Sequence, residues 1–194
     1  MFHLIGNNLS LDFVNTKIAD GGKVYDLLSD FRDLVGWALA TEMVEKGEAD
    51  LITASWTKNG SKLLQKALQL RTTLHELFTA IIQGRSVPEL QIEEINKLLA
   101  QQSGWSELGK NDVGFEKRFR SDFHDPTQLL VSIAASAADL LCYGRLDLIK
   151  KCEANNCVLY FYDSTKNHSR RWCSMEHCGN RAKVAAFYKR RKRS

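Results

Sequence analysis

The sequence predicts an α+β protein built in two parts. Residues 1–145 read as a mostly helical N-terminal domain with one small β-hairpin, and residues 146–194 as a treble-clef-like finger that ends in a helix. Three observations carry this division. Apolar residues recur at three- and four-residue intervals through most of the first part, the pattern of helices with one buried face. Four of the five cysteines fall in two close pairs, Cys152/Cys157 and Cys173/Cys178, with fifteen residues between the pairs. Charge changes sign at the same boundary: residues 151–194 hold 11 Lys/Arg against 3 Asp/Glu, whereas residues 1–150 hold 16 against 20.

A chain of 194 residues is long enough for one ordinary domain and a small appendage. With 44% hydrophobic and 26% charged residues, its composition is that of a soluble globular protein. No stretch approaches the roughly 20 apolar residues of a membrane span. The N-terminus, Met1 to Gly6, lacks the basic and apolar regions of a secretory signal. A cytoplasmic location is therefore expected, where thiols stay reduced and close cysteine pairs read as metal ligands or redox groups rather than disulfides.

From the N-terminus, Asn7 or Asn8 is placed to cap a short helix. Asp12 and Asn15 stand three apart and share a face; they serve either local capping or a polar floor for a small ligand. Gly21-Gly22 marks a loop. Ser29 or Asp30 caps a helix that runs to about Ala40, with Phe31, Leu34, Val35 and Ala38 inward. Residues 47–60 are mixed in character and end on the turn signal Asn59-Gly60. A long amphipathic helix follows from Ser61 to about Gln83, closed by Gly84. His75 lies beside its apolar stripe and reads as a packed or solvated histidine. Pro88 opens another helix, to about Gln102. Over 105–119 the apolar spacing falls to nearly two, with turn chemistry at Gly109 to Asp112. A β-hairpin is expected there, with Lys117, Arg118 and Arg120 on a solvated face. Asp125-Pro126 starts a helix to Tyr143 that is apolar almost all round. It should lie at the centre of the core, with Cys142 as a small core hydrophobe.

Zinc takes four ligands at tetrahedral corners, and thiolates suit it. The two pairs deliver four sulfurs, those of Cys152, Cys157, Cys173 and Cys178, to one structural Zn²⁺. His168 and His177 are substitutes that four sulfurs make unnecessary. Val158 to Tyr162 reads as a strand, Asp163 to Asn167 as a turn, and a helix opens near Ser174. Knuckle, hairpin and helix in that order build a treble-clef-like finger. A four-thiolate zinc carries a formal charge of −2, which helix-start N–H groups and nearby cations offset. Arg170 and Arg171 are placed for that task or for phosphate contact, and the sequence leaves the choice open. In the last helix Val184, Phe187 and Tyr188 form one stripe, with Asn180 and Arg181 on the same, structural side. Lys183, Lys189 and Arg190 belong to the opposite side, available to phosphates.

Arg170-Arg171-Trp172-Cys173-Ser174-Met175, followed by Cys178-Gly179-Asn180-Arg181-Ala182-Lys183, resembles the signature of the CGNR zinc finger. Gly6, Leu11-Asp12-Phe13-Val14-Asn15-Thr16, Asp26-Leu27-Leu28 and Leu70-Arg71 are similar to the pattern of the ABATE domain that precedes this finger in bacterial proteins regarded as transcription regulators. The resemblance implies that Cys152, Cys157, Cys173 and Cys178 are the zinc ligands. It also implies that the helical domain senses a stress or ligand, which gives Asp12 and Asn15 weight beyond capping. One departure is Ala185-Ala186, where relatives often carry basic residues; it lowers the expected strength of DNA binding.

The functional expectation is a transcription regulator that binds DNA through the finger and the basic helix. Charge alone does not separate DNA from RNA. A small-molecule effector and a homodimer are further partners consistent with a sensing or self-associating N-terminal domain, and no membrane partner is expected. The alternative is a zinc-stabilised protein-interaction or redox-sensing module without direct DNA binding. The chain shows no Gly-rich phosphate loop, nucleophile elbow or close acid/base constellation, and four sulfurs leave a zinc no open position, so an enzyme is not expected.

Overall fold

The computed structural model describes residues 2–20, 22–56 and 58–191, apart from the side chains at 20, 186, 189 and 190. Its elements are α1 (Leu9–Val14), β1 (Lys17–Asp20), β2 (Lys23–Asp26), α2 (Phe31–Ala40), α3 (Lys46–Ser55), α4 (Gly60–Ile82), α5 (Glu89–Leu99), β3 (Gly104–Asn111), β4 (Gly114–Ser121), α6 (Thr127–Tyr143), β5 (Ile149–Lys151), β6 (Tyr160–Tyr162) and α7 (Asn180–Arg191). The strands pair antiparallel as β1–β2, β3–β4 and β5–β6. Among the described residues, no helix is long and apolar enough to cross a membrane.

The helix ends follow their local chemistry. The Asn8 side chain accepts from the N–H groups of Ser10 and Leu11, satisfying donors at the start of α1 that the helix itself leaves open. Asp30 and Asp33 form a reciprocal capping box on α2. Gly84, at φ +63°, supplies the left-handed residue that lets the chain turn back onto α4, and its N–H and that of Arg85 close on the carbonyls of Ile81 and Ala80. The Asp125 carboxylate accepts from the Thr127 N–H and starts α6.

The core lies between α1, α2, α4 and α6. Leu11, Phe13, Leu34, Trp37, Leu74, Leu77, Phe78, Leu129 and Ile133 are fully enclosed there. Two residues of the second part, Ile149 and Tyr160, join this same core. A second, smaller cluster gathers Leu159 and Phe161 around Cys152, Cys173 and Cys178. The finger's hairpin is therefore shared: one face is built into the helical domain and the other covers the sulfurs.

Several expectations are corrected. The mixed stretch contains α3, which buries only Ala49 and Ile52 and so leaves a faint periodic signal. Lys17–Asp20 and Lys23–Asp26 pair as a hairpin that the sequence does not announce, with Ile18 opposite Tyr25 and Ala19 opposite Val24. In the β3–β4 hairpin the reversal falls at Asp112-Val113, because the Asn111 side chain accepts from the N–H groups of Val113 and Gly114. Gly109 and Lys110 are strand residues. Pro88 stands one position before α5, at its cap. Cys142 is exposed, because the core-facing side of α6 runs through Ile133, Ala137 and Leu140 and the helix emerges before Tyr143.

Candidate metal centre and C-terminal helix

The centre is assembled from two chain segments. β5 and β6 pair with Lys151 opposite Tyr160, and the ladder continues through the Cys152 N–H to the Leu159 carbonyl. The first cysteine pair thus sits inside the hairpin, on the loop between its strands. Within that loop Asn156 adopts φ +66°, a left-handed conformation that asparagine tolerates well, and the Cys157 N–H closes on the Ala154 carbonyl. The second segment is brought alongside by the Glu153 N–H, which donates to the Arg171 carbonyl. After Cys173, the Ser174 side chain caps a wide, π-type turn over Met175–Gly179. Cys178 lies in that turn, and α7 begins directly after it.

The four sulfurs of Cys152, Cys157, Cys173 and Cys178 all lie within 4.8 Å of one another. Cys157 Sγ is 3.8 Å from Cys173 Sγ, and Cys173 Sγ is 3.5 Å from Cys178 Sγ. Thiolates about 2.3 Å from a tetrahedral zinc stand about 3.8 Å apart, whereas a disulfide needs about 2.05 Å. The spacing fits a shared ion. Proton chemistry says the same. Hydrogen bonding to Cys152 and burial push the Cys157 thiol up, while hydrogen bonds to Cys157 and then Cys173 draw Cys152 down. Crowded sulfurs do not all ionise unless a dication shares their charge.

Further groups offset the anionic sulfurs and fix the segments. The Cys173 N–H donates to Cys152 Sγ at 3.3 Å, and Arg181 Nη2 approaches Cys178 Sγ at 3.3 Å. Arg170 lies under the site: Nε donates to the Trp172 carbonyl, Nη2 donates to the carbonyls of Ile5 and Cys173, and its plane covers the Phe161 ring at 4.2 Å. Its guanidinium is committed inside the molecule, so of its two candidate tasks the geometry favours the structural one. Arg171 is exposed and pairs with Glu153 at 2.6 Å.

Asp163, which the sequence presents only as part of a turn, ties the finger together. Its fully enclosed carboxylate accepts from Lys150 Nζ, from the Thr165 N–H and hydroxyl, and from the Arg170 N–H. Burial opposes its charge, but these bonds outweigh it and hold the carboxyl well below the usual range.

Asp12 and Asn15 face the finger. The Asn15 amide donates to the Tyr160 carbonyl and accepts from the Tyr160 N–H, both at 2.8 Å. It mimics a strand partner for β6. Asp12 accepts from the Gly6 N–H at 2.7 Å. Burial lifts its pKa to about 6, against the pull of the Gly6 and Ile5 N–H groups and of Arg170.

α7 leaves the sulfur cluster and runs outward. Lys183 is exposed. Lys189 and Arg190 belong to α7, but their side chains lie outside the described residues. Val184, Phe187 and Tyr188 retain 50–59% exposure, so their stripe is open among the described residues.

The family profile ABATE, described as "Putative stress-induced transcription regulator", matches residues 7–144. The chain belongs to the ABATE family. A second profile, the CGNR zinc finger, matches residues 149–191. No curated protein shows significant sequence similarity to the chain. In this ABATE protein the finger's four cysteines are positioned to bind one structural zinc ion. With four sulfurs on the ion, no coordination position is left for water or substrate.

Proposed function

We propose that this chain is a transcription regulator that contacts DNA through its zinc-held finger and last helix, and whose N-terminal domain senses a ligand or stress signal. The observation that carries the reading is the position of the charge. Residues 151–194 hold 11 of the chain's 27 Lys/Arg, and α7, with Lys183, is exposed over nearly all its described length. An α-helix fits the major groove of B-DNA, whereas the deep, narrow major groove of A-form RNA does not admit side chains, which favours DNA. Lys183, Lys189 and Arg190 make the phosphate contacts in this reading, Arg171 adds a rim contact shared with Glu153, and Arg170 supports the surface from beneath. Catalysis has no part in it. The test is charge reversal at Lys183, Lys189 and Arg190 together, read by fluorescence anisotropy on duplex DNA. The triple variant should flatten the salt slope by about 3. Unchanged binding contradicts the surface assignment. Oxidant-driven zinc loss without DNA affinity would instead favour the redox module.

A further inference from the structure

A hollow of about 320 Å³ lies between the end of α1, α4, the β1–β2 hairpin and the loop leading into β6. Its walls divide by chemistry. Val14, Val24 and Val158 are apolar, while Lys17, Arg71 and His75 are cationic or hydrogen-bonding. Arg71 is already matched: Nη1 donates to Thr16 Oγ1 and Asp26 Oδ1, and Nη2 pairs with Asp26 Oδ2. Burial works against the Asp26 charge, but Arg71 outweighs it and keeps that carboxyl below its ordinary range. This pair gives the hollow a rigid, nearly neutral wall.

Lys17 stands opposite Asp26 in the hairpin and helps to lower that carboxyl, but it makes no salt bridge or hydrogen bond among the described residues, so two cations share one carboxylate and the hollow keeps one positive charge in excess. His75 stands beside it with Nε2 3.1 Å from the Tyr160 hydroxyl, which is 2.9 Å from Thr79 Oγ1. When Tyr160 donates along this chain, His75 carries its proton on Nδ1 and becomes a donor. Burial, then Lys151 and Lys17, hold the His75 pKa below its ordinary value; Glu76 opposes them but is engaged by Gln91 Nε2 at 2.7 Å. The local field is therefore cationic.

We propose that this hollow binds a small organic acid, with its carboxylate between Lys17 and His75 and its apolar body against Val14, Val24 and Val158. A hollow of about 320 Å³ is within the range of small-molecule sites and has room for a monocyclic or short-chain acid. The position also gives the ligand a route to the finger. Val158 follows the zinc ligand Cys157, and Tyr160, which orients His75, is clasped by Asn15. The assignment deepens the sensor reading of the N-terminal domain and rests on it.

The experiment uses full-length, zinc-loaded protein titrated calorimetrically at low salt with benzoate, hexanoate and the neutral isostere benzamide, and in parallel with duplex DNA. At least one acid should bind at millimolar concentration or below, and benzoate should exceed benzamide by about tenfold or more. Lys17→Met should abolish that preference while leaving the circular dichroism unchanged, and Val24→Asp, on an exposed hairpin position, should weaken both acids without touching zinc content. Equal binding of benzoate and benzamide, acid binding unaltered in Lys17→Met, or no binding of either acid overturns the proposal. DNA binding without acid binding removes the hollow and keeps the regulator; acid binding without DNA binding does the reverse.

Discussion

Replacing Asp163 by alanine should be among the most damaging single changes in the finger. Four donors converge on its enclosed carboxylate, from Lys150, Thr165 and Arg170. Removing one partner of a buried charge pair costs about 3–5 kcal/mol, and each hydrogen bond to a charged group contributes about 1.5–3 kcal/mol. These figures overlap, because Lys150 Nζ keeps the His168 carbonyl at 2.7 Å as a second acceptor. A net loss of about 4 kcal/mol follows, which for a chain of this size is a fall of about 8–16 °C in melting temperature. Asp163→Asn keeps the shape and loses the charge, and should cost about half as much. Because the folded carboxyl titrates below its unfolded value, its stabilisation is full above the ordinary carboxylate range and is lost as pH falls through the lower folded value. The assay is urea and thermal denaturation of zinc-loaded protein at neutral pH, with zinc content measured on each variant. A loss below about 1 kcal/mol for the alanine variant would refute the reasoning.

Asn15→Ala leaves the Tyr160 N–H and carbonyl buried without partners and should cost about 3 kcal/mol in urea denaturation. Asp12 behaves oppositely to Asp163. Its folded pKa of about 6 lies above the unfolded value, so its contribution is full below the ordinary carboxylate range and is lost as pH rises through about 6; a carboxyl-carbon NMR midpoint near 4 would contradict this. Stripping the metal should unfold the sulfur-bearing segments, 152–159 and 171–179, and leave α2, α4 and α6 standing, since zinc binding in such modules is worth about 10–16 kcal/mol. Hydrogen exchange should then rise at 152–159 and 171–179 and stay slow from Leu63 to Phe78.

What could be read from the sequence depended on how local the cause was. The capping groups Asn8 and Asp30, the left-handed Gly84 just past the end of α4 and the long stripe of that helix act within a few residues, and each sits where local chemistry puts it. The sulfur cluster was legible because zinc restricts ligand type and spacing. α3 was not, because two buried side chains make too weak a period. Tyr160 and Asn15 meet across 145 residues, and nothing near either one announces the other. Asp163 looked like any turn aspartate until Lys150 and Arg170 were folded around it. Cys142 errs in the other direction: its apolar run suggests burial where α6 leaves the body of the protein.

The most direct test of the zinc-organised DNA contact is the salt dependence of duplex binding by zinc-loaded and zinc-stripped protein. About six phosphate contacts predict a log–log slope near −5 for the loaded form. The stripped form, with α7 no longer held at the sulfur cluster, should lose the specific complex and keep only a weaker, non-specific one. Equal affinity and equal slope with and without zinc would contradict the account.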